Sequence, residues 1–115
     1  MAKLMTHSQI EQTLRQCQSQ LRLSDWDISW ELVRQDEFPL GRIAECRFSE
    51  QDMEAHLRIL DPMHNHFKSK SAQHVKTSIY HELLHIIITP YLGEDVPERI
   101  EEQIIERIAK ALSNI

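Results

Sequence analysis

Val75-Lys76-Thr77-Ser78-Ile79-Tyr80-His81-Glu82-Leu83-Leu84-His85-Ile86-Ile87-Ile88-Thr89-Pro90 is the stretch from which the rest of the chain is read. Val75, Ile79, Leu83 and Ile86 recur at intervals of three or four, which places them on one face of a helix. The spacing predicts a helix that starts near Ser71 or Ala72. Pro90 stops it, because the ring lacks a backbone donor and crowds the preceding turn.

Upstream of that helix the period changes to two. Trp26, Ile28, Trp30 and Leu32 alternate with Asp27, Ser29 and Glu31, the pattern of a strand with one buried face. Ala44, Cys46 and Phe48 alternate with Glu45 and Arg47 in the same way, and Pro39-Leu40-Gly41 is placed to turn the first strand onto the second. In the third run Ala55, Leu57 and Ile59 alternate with His56 and Arg58, and Asp61-Pro62 ends the ladder. Before the strands, Ser8-Gln9-Ile10-Glu11 has the spacing of a capping box, with Ile10, Leu14, Cys17 and Leu21 following at helical intervals. A first helix is therefore expected from about Ser8 to Leu23. A last one is expected from Val96-Pro97 through Ile100, Ile104, Ile108 and Leu112. The expectation is an α+β fold in the order α-β-β-β-α-α, a single domain over residues 1–115.

Composition narrows the partners. A formal charge of −5 argues against general nucleic-acid binding, which needs a broad surplus of Lys and Arg. Cys17 and Cys46 are too few for a disulfide framework and lack Cys-x-x-Cys spacing, so two reduced structural thiols are expected. Met1-Ala2-Lys3-Leu4-Met5 turns polar at once, unlike a signal peptide. The apolar run Leu83 to Ile88 is broken by His85 and falls far short of a membrane span. These features predict a cytoplasmic, soluble protein with no membrane partner.

His81-Glu82-Leu83-Leu84-His85 is an HExxH motif. Residues four apart on a helix sit one above the other, so both imidazoles can reach one ion, while Glu82 projects beside the pair. From there Glu82 can accept a proton from a water at the ion without binding the metal itself. Zinc suits two imidazoles and one carboxylate, and a catalytic zinc keeps one position open.

Three strands before this helix and an acidic helix after it make the chain resemble the zincin metallopeptidases. More narrowly, it is similar to the gluzincin type, in which a downstream helix supplies Glu as third ligand, and to short metallopeptidase-like proteins of phage and prophage genomes. The resemblance covers nearly the whole length. Glu102-Gln103-Ile104-Ile105-Glu106 matches the gluzincin pattern ExxxD with Glu in the last place. By resemblance, then, His81, His85 and Glu102 bind Zn2+, Glu82 is the general base and Glu106 orients a ligand histidine. A helical wheel gives another answer for the third ligand. Glu101 falls within the arc of Ile100, Ile104, Ile105, Ile108 and Leu112, where an unpaired carboxylate is costly and a metal would relieve it. The resemblance also makes the strand from Ala55 to Leu60 an exposed edge that pairs with an extended peptide.

Other residues have plainer readings beside functional ones. Tyr91 either donates to an oxyanion or packs a loop against the core. His64, His66 and His74 either bind a second ion or are solvated. Lys68, Lys70 and Lys76 either guide an acidic partner or simply face water. Trp26 and Trp30 read as core. The expected activity is zinc-dependent hydrolysis of a protein or peptide substrate. The alternative is a zinc-stabilised module that binds a protein or nucleic acid without turnover. A zinc hydrolase acting on a non-peptide substrate, including RNA, ranks last, since its small representatives carry a third histidine close behind the pair and none follows His85.

Overall fold

In a computed structural model, residues 5–38, 42–61 and 72–114 are described. They form α1 (His7–Gln20), β1 (Asp27–Val33), β2 (Ala44–Ser49), β3 (Glu54–Leu60), α2 (Ala72–Ile88) and α3 (Glu98–Ser113), with short 3-10 turns at Gln35–Glu37 and Thr89–Tyr91. The chain is α+β, with three helices and a three-stranded mixed sheet among the described residues.

The first helix begins earlier than the Ser8 box implies. Thr6 is its N-cap, accepting from the Gln9 amide while the Gln9 side chain accepts from the Thr6 amide. Two overlapping boxes compete here, and hydrophobic contact decides between them. With Thr6 as cap, Met5 and Ile10 flank the first turn as a staple, and both are buried in one core. With Ser8 as cap, those flanking positions would be His7 and Gln12. At the other end the helix closes on a left-handed Arg22 (φ 61°), with the Leu23 amide donating to Gln18 O and the Arg22 amide to Ser19 O.

The strand order is β1-β3-β2, so β3 is central, and the expectation of an edge strand at 55–60 is corrected. Nor do β1 and β2 form a hairpin. β1 runs parallel to β3, and the hairpin joins β2 to β3 through residues 50–53, with Met53 left-handed at φ 53°. Pro39-Leu40-Gly41, the expected turn, lies outside the described residues. Side-chain charge gives a reason for the order. Arg58 on β3 stands directly opposite Glu31 on β1 and Glu45 on β2, reaching them at 3.4 and 2.9 Å. It also meets Glu37 at 3.1 Å and lies over the Phe38 ring. Any order that moved β3 to an edge would take Arg58 away from one flank of carboxylates.

The opposite face of β3, Ala55, Leu57 and Ile59, packs with Ile28 of β1 beneath Ile10, Leu14 and Cys17 of α1 and Val75, Ile79 and Leu83 of α2. Trp26 and Trp30 are half-buried against this core, in keeping with their expected structural role. α3 packs chiefly on α2. Its buried line is Ile105, Ala109 and Ser113, whereas Ile104 and Ile108 are 38% and 36% exposed. The expected apolar arc through Ile100, Ile104 and Ile108 is therefore rotated away from the core. Small residues at 109 and 113 allow α3 to approach α2 closely, and Ser113 Oγ joins Thr77 Oγ1 at 2.8 Å. No described helix is long and apolar enough to cross a membrane.

Candidate metal centre

The rotation of α3 decides what faces the HExxH residues of α2. His81 and His85 lie one turn apart with ring centroids separated by 5.3 Å, and both are largely buried. His81 Nε2 is 2.7 Å from Glu102 Oε2, and His85 Nε2 is 3.1 Å from Glu102 Oε1. One donor atom from each of the three residues lies within 4.8 Å of the others, a set that could hold a metal ion. Glu102, rather than Glu101, stands between the two Nε2 atoms.

The far side of each ring is also engaged. His81 Nδ1 is 2.6 Å from Glu106 Oε2, the contact expected of an orienting carboxylate. His85 Nδ1 is 3.1 Å from Thr89 Oγ1, with Glu101 Oε2 farther off at 3.7 Å. Thr89 was not singled out from the sequence. Its signal was available: it follows His85 by four residues, the same spacing that joins the two histidines.

Beside this cluster is a cleft of about 680 Å³. Its β-side wall runs from Arg42 to Phe48, and its helical wall carries Ser78, His81, Glu82, His85 and Thr89 of the α2 segment with Glu98, Glu101, Glu102 and Glu106 of α3. The cleft thus gathers six carboxylates, counting Glu45, against Arg42 and Arg47. Arg42 is drawn to Glu45 at 3.3 Å, so the helical side is left strongly negative. Two imidazoles and a carboxylate in an electronegative cleft fit a divalent cation on chemical grounds.

Burial shapes the acid-base properties. Burial pushes the Glu82 carboxyl up to about 7, and nearby Glu102 and Glu45 reinforce the effect against the opposing charges of His81 and Arg42. His81 is pulled down by burial, but Glu82, Glu102 and Glu106 together hold it above the ordinary histidine value. For His85 burial prevails, assisted by the neighbouring His81 charge, and its affinity for a proton is lowered.

Among the described residues β2 is one of the two edge strands, with β1 the other. The Leu60 amide donates to Ile43 O at 2.7 Å, which fixes the alternation of the antiparallel ladder. Continuing that alternation, Glu45, Arg47 and Ser49 direct their backbone groups to β3, while those of Ala44, Cys46 and Phe48 point away from it. These last three residues line the cleft. Among the described residues the sheet edge beside the cluster thus belongs to the second strand in the chain.

The remaining candidates lie elsewhere. Tyr91 is 87% exposed, neither packed on the core nor lining the cleft. His74 lines a second groove with Gln73, Thr77 and Lys110, and Lys76 lies on α2 without lining the cleft. His64, His66, Lys68 and Lys70 fall outside the described residues.

Fold and cluster together define an α+β protein with a His-His-Glu constellation between its last two helices. Comparison of the chain with protein-family models, curated proteins and solved structures returns no match.

Proposed function

We propose that the chain is a zinc-dependent peptide hydrolase of zincin type, with His81, His85 and Glu102 as metal ligands and Glu82 as general base. The observation that carries this reading is the convergence of both Nε2 atoms on the two oxygens of Glu102, with each Nδ1 held from behind. A divalent ion there would supply Lewis acidity and lower the pKa of a coordinated water to about 7.

The chain's own residues account for the rest of the chemistry. Glu82, with its carboxyl near 7, is suited to take a proton from the attacking water and return it to the departing amine at neutral pH. Ala44, Cys46 and Phe48 direct their backbone groups away from β3, and no described strand pairs with them there, so an extended peptide can lie along that side as an added strand. Glu82 lines the same cleft as His81, His85 and Glu102, which puts the base beside the proposed ligands.

The test is hydrolysis of a fluorescence-quenched peptide library by zinc-loaded parent and Glu82→Gln proteins. The variant should retain zinc and lose about 10²–10⁴-fold in rate. Equal rates at verified metal content would overturn the proposed role of Glu82.

A second reading is favoured by the thin apolar contact of α3, whose fully buried hydrophobic residues are Ile105 and Ala109, with Leu112 partly buried beside them. There the ion mainly fastens α3 to α2, and the domain binds a protein or nucleic acid without turnover. Stoichiometric capture of such a partner by a zinc-loaded parent that cleaves no peptide would favour it.

A further inference from the structure

We propose that Thr89 is the positioning residue for His85, fixing the tautomer in which the Nε2 lone pair faces Glu102; this rests on the metal centre proposed above. An imidazole can offer Nε2 to an ion only if its ring proton sits on Nδ1, and that proton needs an acceptor. For His81 the acceptor is the Glu106 carboxylate at 2.6 Å. For His85 the acceptor within hydrogen-bond reach of Nδ1 among the described residues is Thr89 Oγ1 at 3.1 Å, while Glu101 Oε2 at 3.7 Å lies beyond it.

The local backbone prepares Thr89 for this role. α2 ends at Ile88, and Thr89 begins the 3-10 turn into Pro90, so the hydroxyl remains stacked one turn past the His85 ring. Branching at Cβ restricts the Thr89 side chain to few rotamers, which keeps the acceptor in place at small entropic cost. The choice of a hydroxyl also has an electrostatic consequence. The helical wall already holds Glu101, Glu102 and Glu106, and a neutral acceptor orients His85 without adding another negative charge. His85 is then the less electron-rich of the two imidazoles, because a hydroxyl draws less on the Nδ1 proton than a carboxylate does.

The experiment is zinc affinity measured by competition with a chromophoric chelator, for parent, Thr89→Val, Thr89→Ser and Glu101→Ala. Circular dichroism of the metal-free proteins accompanies it to verify folding. Val keeps the branched shape but cannot accept, and should weaken zinc binding by about 10–100-fold. Ser restores the acceptor and should restore most of the affinity. Parent-like binding by the Val variant would overturn the inference, as would a Ser variant as weak as the Val variant. If Glu101→Ala lost affinity and Thr89→Val did not, Glu101 would be the orienting group instead. A folded parent that bound no zinc would sink the metal centre itself, whereas a binding parent with an unaffected Val variant would sink only the role of Thr89.

Discussion

Replacing Glu102 by Ala removes the carboxylate that both Nε2 atoms face among the described residues, at 2.7 and 3.1 Å, and on the proposed function should cripple metal binding. Structural zinc sites with four protein ligands bind with apparent energies of about 10–16 kcal/mol, or roughly 3 kcal/mol per ligand. Loss of one ligand should therefore weaken zinc by on the order of a hundredfold. Glu101→Ala is the informative control. Its Oε2 lies 3.7 Å from His85 Nδ1, on the far side of the ring and beyond hydrogen-bond distance, so its loss should cost about tenfold or less. Chelator competition on metal-stripped protein at neutral pH measures both, with circular dichroism verifying that each variant folds. Parent-like affinity in Glu102→Ala together with a large loss in Glu101→Ala would refute the assignment. It would show that α3 presents the neighbouring carboxylate to the ion.

Other outcomes follow from the same geometry. Metal chelation should lower amide-exchange protection in α3 more than in α2, because α3 buries little beyond Ile105, Ala109 and Ser113; equal loss in both helices would contradict this. Burial pushes the Cys17 thiol up to about 12, and burial with the Glu82 charge does the same for Cys46, so both should alkylate at pH 8 more than about a hundredfold slower than a free thiol until the protein unfolds. Between pH 9 and 12 the folded state then holds more thiol protons than the unfolded one, so denaturant midpoints should fall as pH rises through that window. Arg22→Gly relieves a left-handed side-chain-bearing residue at the end of α1 and should stabilise by about 0.5–1 kcal/mol, read as a rise in melting temperature; an unchanged or lower value would contradict the assigned cost.

Local pattern carried the elements well and their arrangement poorly. Pro90 follows the end of α2 and Pro97 caps the start of α3, because a missing donor and a fixed φ act within a single turn. Alternation likewise marks β1, β2 and β3, since any strand with one covered face shows it. Order within the sheet is different in kind: Ala55, Leu57 and Ile59 alternate the same way at an edge or in the centre. The information that separates the two is non-local and electrostatic, in the lone Arg58 with Glu31 and Glu45 directly opposite it on either side. A hairpin inferred from Pro39-Leu40-Gly41 weighed turn composition alone. The hairpin at residues 50–53 uses a left-handed Met53 and a Ser49–Asp52 hydrogen bond, with neither Gly nor Pro.

At the site, the same division between local and non-local information explains which residues were legible. His81, Glu82 and His85 are fixed by one helix, so their spacing reveals their geometry before any tertiary contact is known. Glu102 and Glu106 depend on how α3 rolls against α2, and a wheel weighted by hydrophobicity turns the helix the wrong way. It counts Ile104 and Ile108 as core and undervalues Ala109 and Ser113, whose smallness permits the close approach. Once helix contact is judged by size as well as apolarity, the line Ile105, Ala109, Ser113 sets the roll and carries Glu102 toward the histidines, with Glu101 left at the flank. An Ala109→Leu substitution follows that logic: the added volume should push α3 from α2 and weaken the proposed zinc binding without altering any of the proposed ligands. Were the leucine accommodated with unchanged affinity, close helix packing would not be what aims Glu102.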